Sequence, residues 1–572
     1  MTKRRALLVS MGLFLCMAVS ASAATYTVTK VADTNDGACD ADCSLREAVM
    51  AANGTADNDN IVFDAAIFAD PQTITLAGTE IVIANAGSLS ITGTGADRLT
   101  ISGNGASRIF TNSLGAVTTI ANIKFTGGNG VGAANTGRAG AIYNNGGVLT
   151  LSHVVLTGNT AANGGATNHA GNATTTYINC EITNNSASGA GGGMQNFSGS
   201  TLTMINSSVT GNTSASTLTG GGGIQANGTL NFVNTTFGGN RANGGDGGAL
   251  YYNGQGLTMN NVTIAGNVAT GGGAGGLHKS TSTLNANIRN TIMAGNTGSP
   301  SPDAAGIFNS MGNNLIGTVG TSTGWVASDI QGQPALLSPL GFYGGTGMTF
   351  ALLSGSPALN AANNCVLDSS CGTANPAVNV TTDQRGAARP SGKAVDIGAF
   401  ESNASYVAFL PDAQLNQPYN AVLTSEVGSF TYSQTGGALP PGVTVNTGAT
   451  IASVSGTPTA AGTYNFAVTV TDGTNSAAVN YRLNVVSNAA AFSVGGRVFG
   501  ELGRAAYPAH VTLSTAAGPV AGTFTNPFGH YRFENVPAGT VVTISVRSKG
   551  LTYNPQTITV TNDVTGLDFQ PQ

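Results

Sequence analysis

The sequence predicts an all-β chain whose larger part is a three-sided parallel β-helix, and three observations predict it. Six segments align on an asparagine at nearly constant spacing. Each carries an apolar residue three positions before that asparagine, and 82 of the 572 residues are glycine while only 8% are charged. The segments read VVLTGNTA, CEITNNSA, SSVTGNTS, TTFGGNRA, VTIAGNVA and TIMAGNTG. Their asparagines are Asn159, Asn185, Asn212, Asn240, Asn267 and Asn296, spaced 26, 27, 28, 27 and 29 residues apart. Self-similarity at such a period marks a solenoid. A coil of this length, at about 3.3 Å per strand residue, suits three short sides and a rise of roughly 4.8 Å per turn.

The apolar residues are Leu156, Ile182, Val209, Phe237, Ile264 and Met293, with Phe125 from an earlier degenerate copy. Strand side chains alternate, so the position two residues before shares their face: Ile123, Val154, Cys180, Ser207, Thr235, Val262 and Thr291. Cys180 is therefore expected to be a small buried side chain. Asparagine suits the recurring turn because it tolerates positive φ and its amide bonds the asparagines above and below. Some six buried side chains contribute roughly 9 to 18 kcal/mol per repeat. Ordering the repeat costs more, at about 1 to 2 kcal/mol per residue, so the coils must stack to be stable.

At the N-terminus Lys3, Arg4 and Arg5 precede an apolar run over 6–19 and then Ala21-Ser22-Ala23, the pattern of a secretory signal peptide cut near Ala24. Leu15 before Cys16 is not the small residue of a lipoprotein site, and no later run reaches the length of a membrane span. In an exported chain Cys39 with Cys43 and Cys365 with Cys371 form close pairs suited to local disulfides. Ser44 and Glu47 make a capping box, and Leu45, Ala48, Val49 and Ala52 form one apolar helical face. A short helix with such a face needs a surface to cover, and the open first coil of a solenoid needs a lid.

Residues 43–48 spell CSLREA, and the segment from Ala24 resembles the CSLREA N-terminal domain of secreted bacterial surface proteins. The GAIY and FGGN elements resemble repeats of polymorphic outer membrane proteins and other right-handed β-helix adhesins. That resemblance implies a right-handed coil of the pectin-lyase-like kind. GSPALNAANNC and TDQRGAARPSGKAVDIGAFE, within 355–401, are similar to the choice-of-anchor Q region. There Arg385, Arg389, Asp383 and Asp396 are expected to form ion pairs closing the last coils. Residues 439–473 resemble putative immunoglobulin-like domains, with Tyr464, Phe466, Val468 and Val470 alternating as in a half-buried strand. Residues 492–572 resemble a non-catalytic carboxypeptidase regulatory-like, transthyretin-type sandwich. The expected order is signal peptide 1–23, cap 24–60, β-helix 61–402 with repeats near 120–300 and an anchor-like part at 350–402, then β-sandwiches at 405–487 and 491–572.

The net charge of −5 without a basic cluster removes the electrostatic footprint that nucleic acids need. The β-helix also serves polysaccharide lyases and glycoside hydrolases, so chemistry must be tested. Between residues 121 and 320 the acids are Glu181, Asp246 and Asp303; the first two lie two repeats apart, roughly 10 Å along the axis, a poor catalytic pair. His153, Arg138, His278, Lys279 and Arg289 are the remaining polar candidates. GTSTG around Ser322 and the Gly271, Gly273, Gly276 spacing imitate known motifs without their βα context. Asp33, Asp36, Asp40 and Asp42 suggest calcium, but DTNDG is one residue short of the usual loop, and a solvated loop is the preferred reading. No catalytic residue or cofactor is assigned. The sequence thus points to a secreted bacterial surface protein that binds an extracellular glycan or a neighbouring cell surface, with a lyase or hydrolase as the alternative.

Overall fold

Alternating apolar residues in short strands, laddered to the next coil through parallel backbone hydrogen bonds, build a three-sided parallel β-solenoid. The structure is a computed structural model and describes residues 23–572 except 134, 218, 255, 281–285, 369, 372–378, 426, 488–490, 501–503, 516–517, 538–539 and 549. Of the segment 1–23 expected to be a signal peptide, residues 1–22, including Lys3, Arg4, Arg5 and Cys16, lie outside the described residues.

In one representative coil the chain runs through Ile142–Asn145, Val148–Ser152, Val155–Thr157 and the two-residue Thr160–Ala161. Stacked on their counterparts, the first three give sheet one with nine strands, sheet two with eleven and sheet three with eleven. Phe125, Leu156, Ile182, Val209, Phe237, Ile264 and Met293 point inward from sheet three and are fully buried. Ile123, Val154, Cys180, Thr235 and Val262, at the corner before it, are equally buried.

The corners differ from expectation in one respect. The ladder asparagines do not occupy the left-handed region. That conformation falls one residue earlier, at Gly158, Asn184, Gly211, Gly239, Gly266 and Gly295, with φ between 54° and 72°. A second left-handed column, Asn122, His153, Asn179, Asn206, Asn234, Asn261 and Asn290, turns the chain from sheet two into sheet three. The ladder residues keep ordinary backbone because their side chains must turn inward and hydrogen-bond along the axis.

At the N-terminal end the helix Leu45–Asn53 packs Leu45, Ala48, Val49 and Ala52 into the same core as Val28, Ile61, Ile81 and Ile83 of the first coils. Its capping box is complete: the Ser44 hydroxyl accepts from the Glu47 N–H at 3.1 Å, and the Glu47 carboxylate accepts from the Ser44 N–H at 2.6 Å. Cys39 and Cys43 are disulfide-bonded in the preceding loop. Arg46 holds Asp33 through two bonds of 2.9 and 2.7 Å and donates to the Glu80 carbonyl, tying the helix to a later coil.

The parallel ladder ends at Ile330–Gln331. The described residues of 335–402 do not continue it; they fold back over sheet three as an irregular layer. The reason lies in the outward column of that sheet, where Thr157, Thr183 and Thr210 give way in register to Gly238, Ala265 and Ala294. Leu340 and Phe350 fill the space over Gly238, so closely that a Cβ there would lie 2.9 to 3.0 Å from them. Thr236 bonds Thr349 at 2.8 Å, and the Ala399 N–H donates to Thr263 at 2.9 Å. Within the layer Arg385 pairs with Asp383 and Arg389 with Glu401, all buried. Asp396 accepts the N–H groups of Asn360 and Ser402. These groups clamp the layer to the flank of the solenoid rather than closing its last coil, and Glu401 joins the residues anticipated there. Cys365 and Cys371 are disulfide-bonded at its edge.

Two β-sandwiches follow. In the first, Gly462–Thr471 pairs with Ser476–Val486 and Thr431–Gly437, and Phe466, Val468 and Val470 are buried. Its core is continuous with the layer: Tyr343, Leu352 and Phe400 pack in one cluster with Leu423, Val470 and Tyr481. The Tyr481 hydroxyl donates to the Phe342 carbonyl at 2.8 Å. The second, with strands from Ala491–Arg497 to Gln556–Thr559, has its own core of Val494, Val511, Phe533, Ile544 and Phe569.

Candidate functional site

Sheet three is occluded by the fold-back layer from Ser208 onward. Sheet one is closed differently, by its own outward column of Tyr143, Asn168, Gln195, Gln225, Tyr251 and His278. Asn168 donates to Gln195 at 2.8 Å and Gln195 to Gln225 at 2.9 Å, while the rings of Tyr251 and His278 stack at 5.3 Å. All but His278 are buried under the glycine-rich connections.

Sheet two remains open. Its central outward column reads Ser90, Thr119, Thr150, Thr176, Thr203, Asn231, Thr258 and Asn287 in unbroken register, and of these Asn231 alone is buried. Thr174, Thr201 and Thr229 form a second rank beside it. The strand period places these groups about 4.8 Å apart along the axis. Each threonine presents one donor and two acceptor sites. β-Branched threonine is also what a half-buried pleated strand accommodates, so the polar array costs the sheet nothing.

The asparagine ladder lies inside. Asn159, Asn185, Asn212, Asn240 and Asn267 each donate from the side-chain amide to the Oδ1 of the next asparagine at 2.9 to 3.0 Å. The same Oδ1 accepts the backbone N–H of the preceding ladder residue at 3.0 to 3.1 Å. Asn296 then donates to Asp303, whose other oxygen accepts from the Thr318 N–H. An acceptor-only carboxylate thus ends a chain of donors. The ladder is buried and structural.

The other acids are equally occupied by structure. Glu181 lies half-buried at the edge of the fold-back layer, one coil before Ser208, where burial pushes its carboxyl up to about 7 against the lowering effect of Lys124. Asp246 sits beside the Tyr251–His278 stack and accepts from the Gly272 N–H at 3.2 Å. Burial lowers the His278 pKa, and Asp246 opposes that only partly. Glu181 and Asp246 belong to different faces, so the structure brings no two of these three acids together as a facing pair. Asp33 and Asp42 are engaged by Arg46 and Lys30. Among the described residues no three His, Cys, Asp or Glu side chains gather at metal-binding distance.

The remaining candidates scatter. His153 is an exposed corner residue, Arg138 lies 4.5 Å over the Phe197 ring, and Lys279 and Arg289 are buried on different sheets. Ser322 accepts from the Trp325 indole at 3.0 Å and is buried. Cys180 donates to the Leu151 carbonyl, and burial pushes its thiol up to about 12, so it is inert. Sequence reasoning missed His169, fully buried and pushed down by burial to about 3. It shares a core network with Thr167, Thr175 and Tyr177. Only its place two residues after an inward threonine signalled that role.

A three-sided parallel β-solenoid followed by β-sandwich sheets is the class of protein that the fold defines. Residues 401–486 match the family model described as Putative Ig domain, which assigns the first sandwich. Among curated protein sequences there is no significant match. Solved structures with partial likeness include an endo-fucoidan hydrolase of glycoside hydrolase family 107, 18% identical over 28% of each chain with a TM-score of 0.13. The Bacillus anthracis TIE protein is 14% identical over 25% of this chain and 34% of its own, with a TM-score of 0.17. The major pilin subunit of Bacillus cereus is 10% identical over 28% of this chain and 67% of its own, with a TM-score of 0.15. The chain spans under a third of the fucoidan hydrolase, and likenesses this slight assign neither fold nor function.

Proposed function

We propose that the protein is a secreted or cell-surface binding protein that holds an extended extracellular glycan along sheet two, without cleaving it. The observation that carries this reading is the rank from Ser90 to Asn287, accessible without a break from Ser90 to Thr203 and interrupted by the buried Asn231, a row of hydroxyl and amide groups at the period of the solenoid. A polymer whose hydroxyls recur along its length gains from many weak bonds made at once, each about 0.5–1.5 kcal/mol. Two described disulfides suit an oxidising compartment. No described helix is long and apolar enough to cross a membrane.

In this reading residues 1–23 direct export, the CSLREA-like segment is the lid of the first coil, the 350–402 region is choice-of-anchor Q-like, and 491–572 is a carboxypeptidase regulatory-like spacer. The test is retention of the protein on a panel of neutral and acidic polysaccharides, with and without calcium, with product analysis. Retention without new chain ends supports the proposal. Replacing Thr150, Thr176 and Thr203 together with alanine should weaken retention at least about tenfold, since three such bonds sum to more than 1.4 kcal/mol. New reducing ends or unsaturated products would make the protein a hydrolase or lyase instead, and retention unaffected by the triple substitution would move the site off sheet two.

A further inference from the structure

Where the fold-back layer and the immunoglobulin-like domain meet sheet three, they leave a cleft of about 440 Å³. Its walls are Phe342, Met348, Phe409, Leu410, Pro411 and Val422, and Glu181 lies at its solenoid side. Phe409 and Val422 are 59% and 39% exposed, so the cleft is open at their edge. Glu181 faces outward on the strand Glu181–Thr183, in register with Ser208 of the next coil. Among the described residues its carboxylate has no hydrogen-bond or ion-pair partner; Lys124, two strands back in the same outward column, acts on it only through space. The Ser208 hydroxyl is buried and also lacks a partner. Gly347 closes over both: a Cβ there would lie 2.1 Å from the Ser208 hydroxyl and 3.8 Å from Glu181 Cβ.

A half-buried carboxylate without a donor or cation, in a cleft whose walls are apolar except for Thr346 and Asn420, is best matched by a ligand that brings donors and positive charge. A neutral apolar molecule leaves the carboxylate unsatisfied. A carboxylate or phosphate adds repulsion. A primary ammonium carries three donors and no acceptor, and its charge complements Glu181. The geometry points to a binding site for a small organic cation, a primary ammonium on an apolar stem, with the ammonium at Glu181 and the stem between Phe409, Leu410 and Val422. The solenoid supplies the charge and the fold-back layer and the immunoglobulin-like domain supply the walls, so the site exists only where the three meet. It is independent of glycan binding on sheet two.

The full chain titrated with 2-phenylethylammonium and with its neutral isostere 2-phenylethanol, followed by ligand-observed NMR at pH 8, tests this. The ammonium should bind and the alcohol should bind at least tenfold more weakly. Glu181→Gln should lose at least tenfold in affinity for the ammonium while its thermal unfolding shows the fold intact. Val422→Trp, at the exposed mouth, should block both ligands without touching the carboxylate. Equal binding of amine and alcohol, undiminished binding to Glu181→Gln, or no binding of the ammonium to the unmodified protein would each overturn the assignment.

Discussion

Each ladder asparagine does the work of two residues, accepting two N–H bonds from the coil before and donating to the coil after. Removing one leaves donors and acceptors stranded in a dry interior. In Asn212→Ala the backbone N–H of Asn185 and the carbonyl of Ile182 lose their side-chain partner, while the Asn185 amide keeps the Leu156 and Thr183 carbonyls. Buried unsatisfied groups cost about 1–3 kcal/mol each, so a loss of about 2 kcal/mol or more is expected, read as a lower midpoint in urea unfolding. Asn212→Asp should do no better, because a carboxylate keeps the acceptor but sets it against Asn240 Oδ1. Glu181 predicts the opposite sign. Burial raises its folded pKa from 4.5 to about 7, so folding is progressively penalised as pH rises from the unfolded value through 7. Glu181→Gln should therefore raise the melting temperature at pH 8 by a few degrees and leave it unchanged at pH 4; equal shifts at both would place the cause outside ionisation.

At the scale of elements, the N-terminal helix and the stacked coils were legible because their signals are local or periodic. The capping pair Ser44 and Glu47 sits three residues apart, and the column from Leu156 to Met293 repeats every coil. The fold-back layer was not legible for the converse reason: residues 335–402 carry no period, and their partners lie up to about 150 residues away, as in Thr236 with Gln384. The one usable sign was the switch from Thr210 to Gly238 and Ala265 on a face that had been threonine. The open sheet-two column was visible as aligned polar residues, but which face stays uncovered depended on that layer. The cap itself is testable. Leu45 and Val49 are essentially unexposed within the first-coil core, so Leu45→Asp with Val49→Asp should produce aggregation or rapid proteolysis. Unchanged solubility and melting would show that the helix covers nothing needed. Glu47 adds a pH signature. Burial would raise its pKa, but N–H bonds from Ser44 and Asp36 and the charge of Lys30 outweigh that and hold it below the usual value. Its stabilisation is present above the unfolded pKa and disappears as pH falls through the folded one, so protease nicking near residue 45 should appear first in acid.

For the whole molecule, the distribution of apolar cores sets which parts unfold together. The fold-back layer shares one core with the immunoglobulin-like domain, and that cluster also takes in Val233, Ile292 and Leu315 of the solenoid. The last sandwich packs around residues of its own. Contiguous burial couples unfolding, whereas a separate core leaves a unit free to melt alone. Calorimetry of the full chain should show one transition for residues 24–487 and a second, smaller one for 491–572, and removing the last sandwich should leave the first transition in place. The coupling runs through the small-residue face of sheet three, and Gly238 is its most sensitive point because its backbone is not left-handed and only the close approach of Leu340 and Phe350 requires glycine. Gly238→Leu should lift the layer away. The immunoglobulin-like domain would then melt as a separate event below the solenoid, the cleft at Glu181 would be lost, and sheet two would keep its threonine rank. A single undivided transition in that variant would show that the two units are held together by something other than this contact.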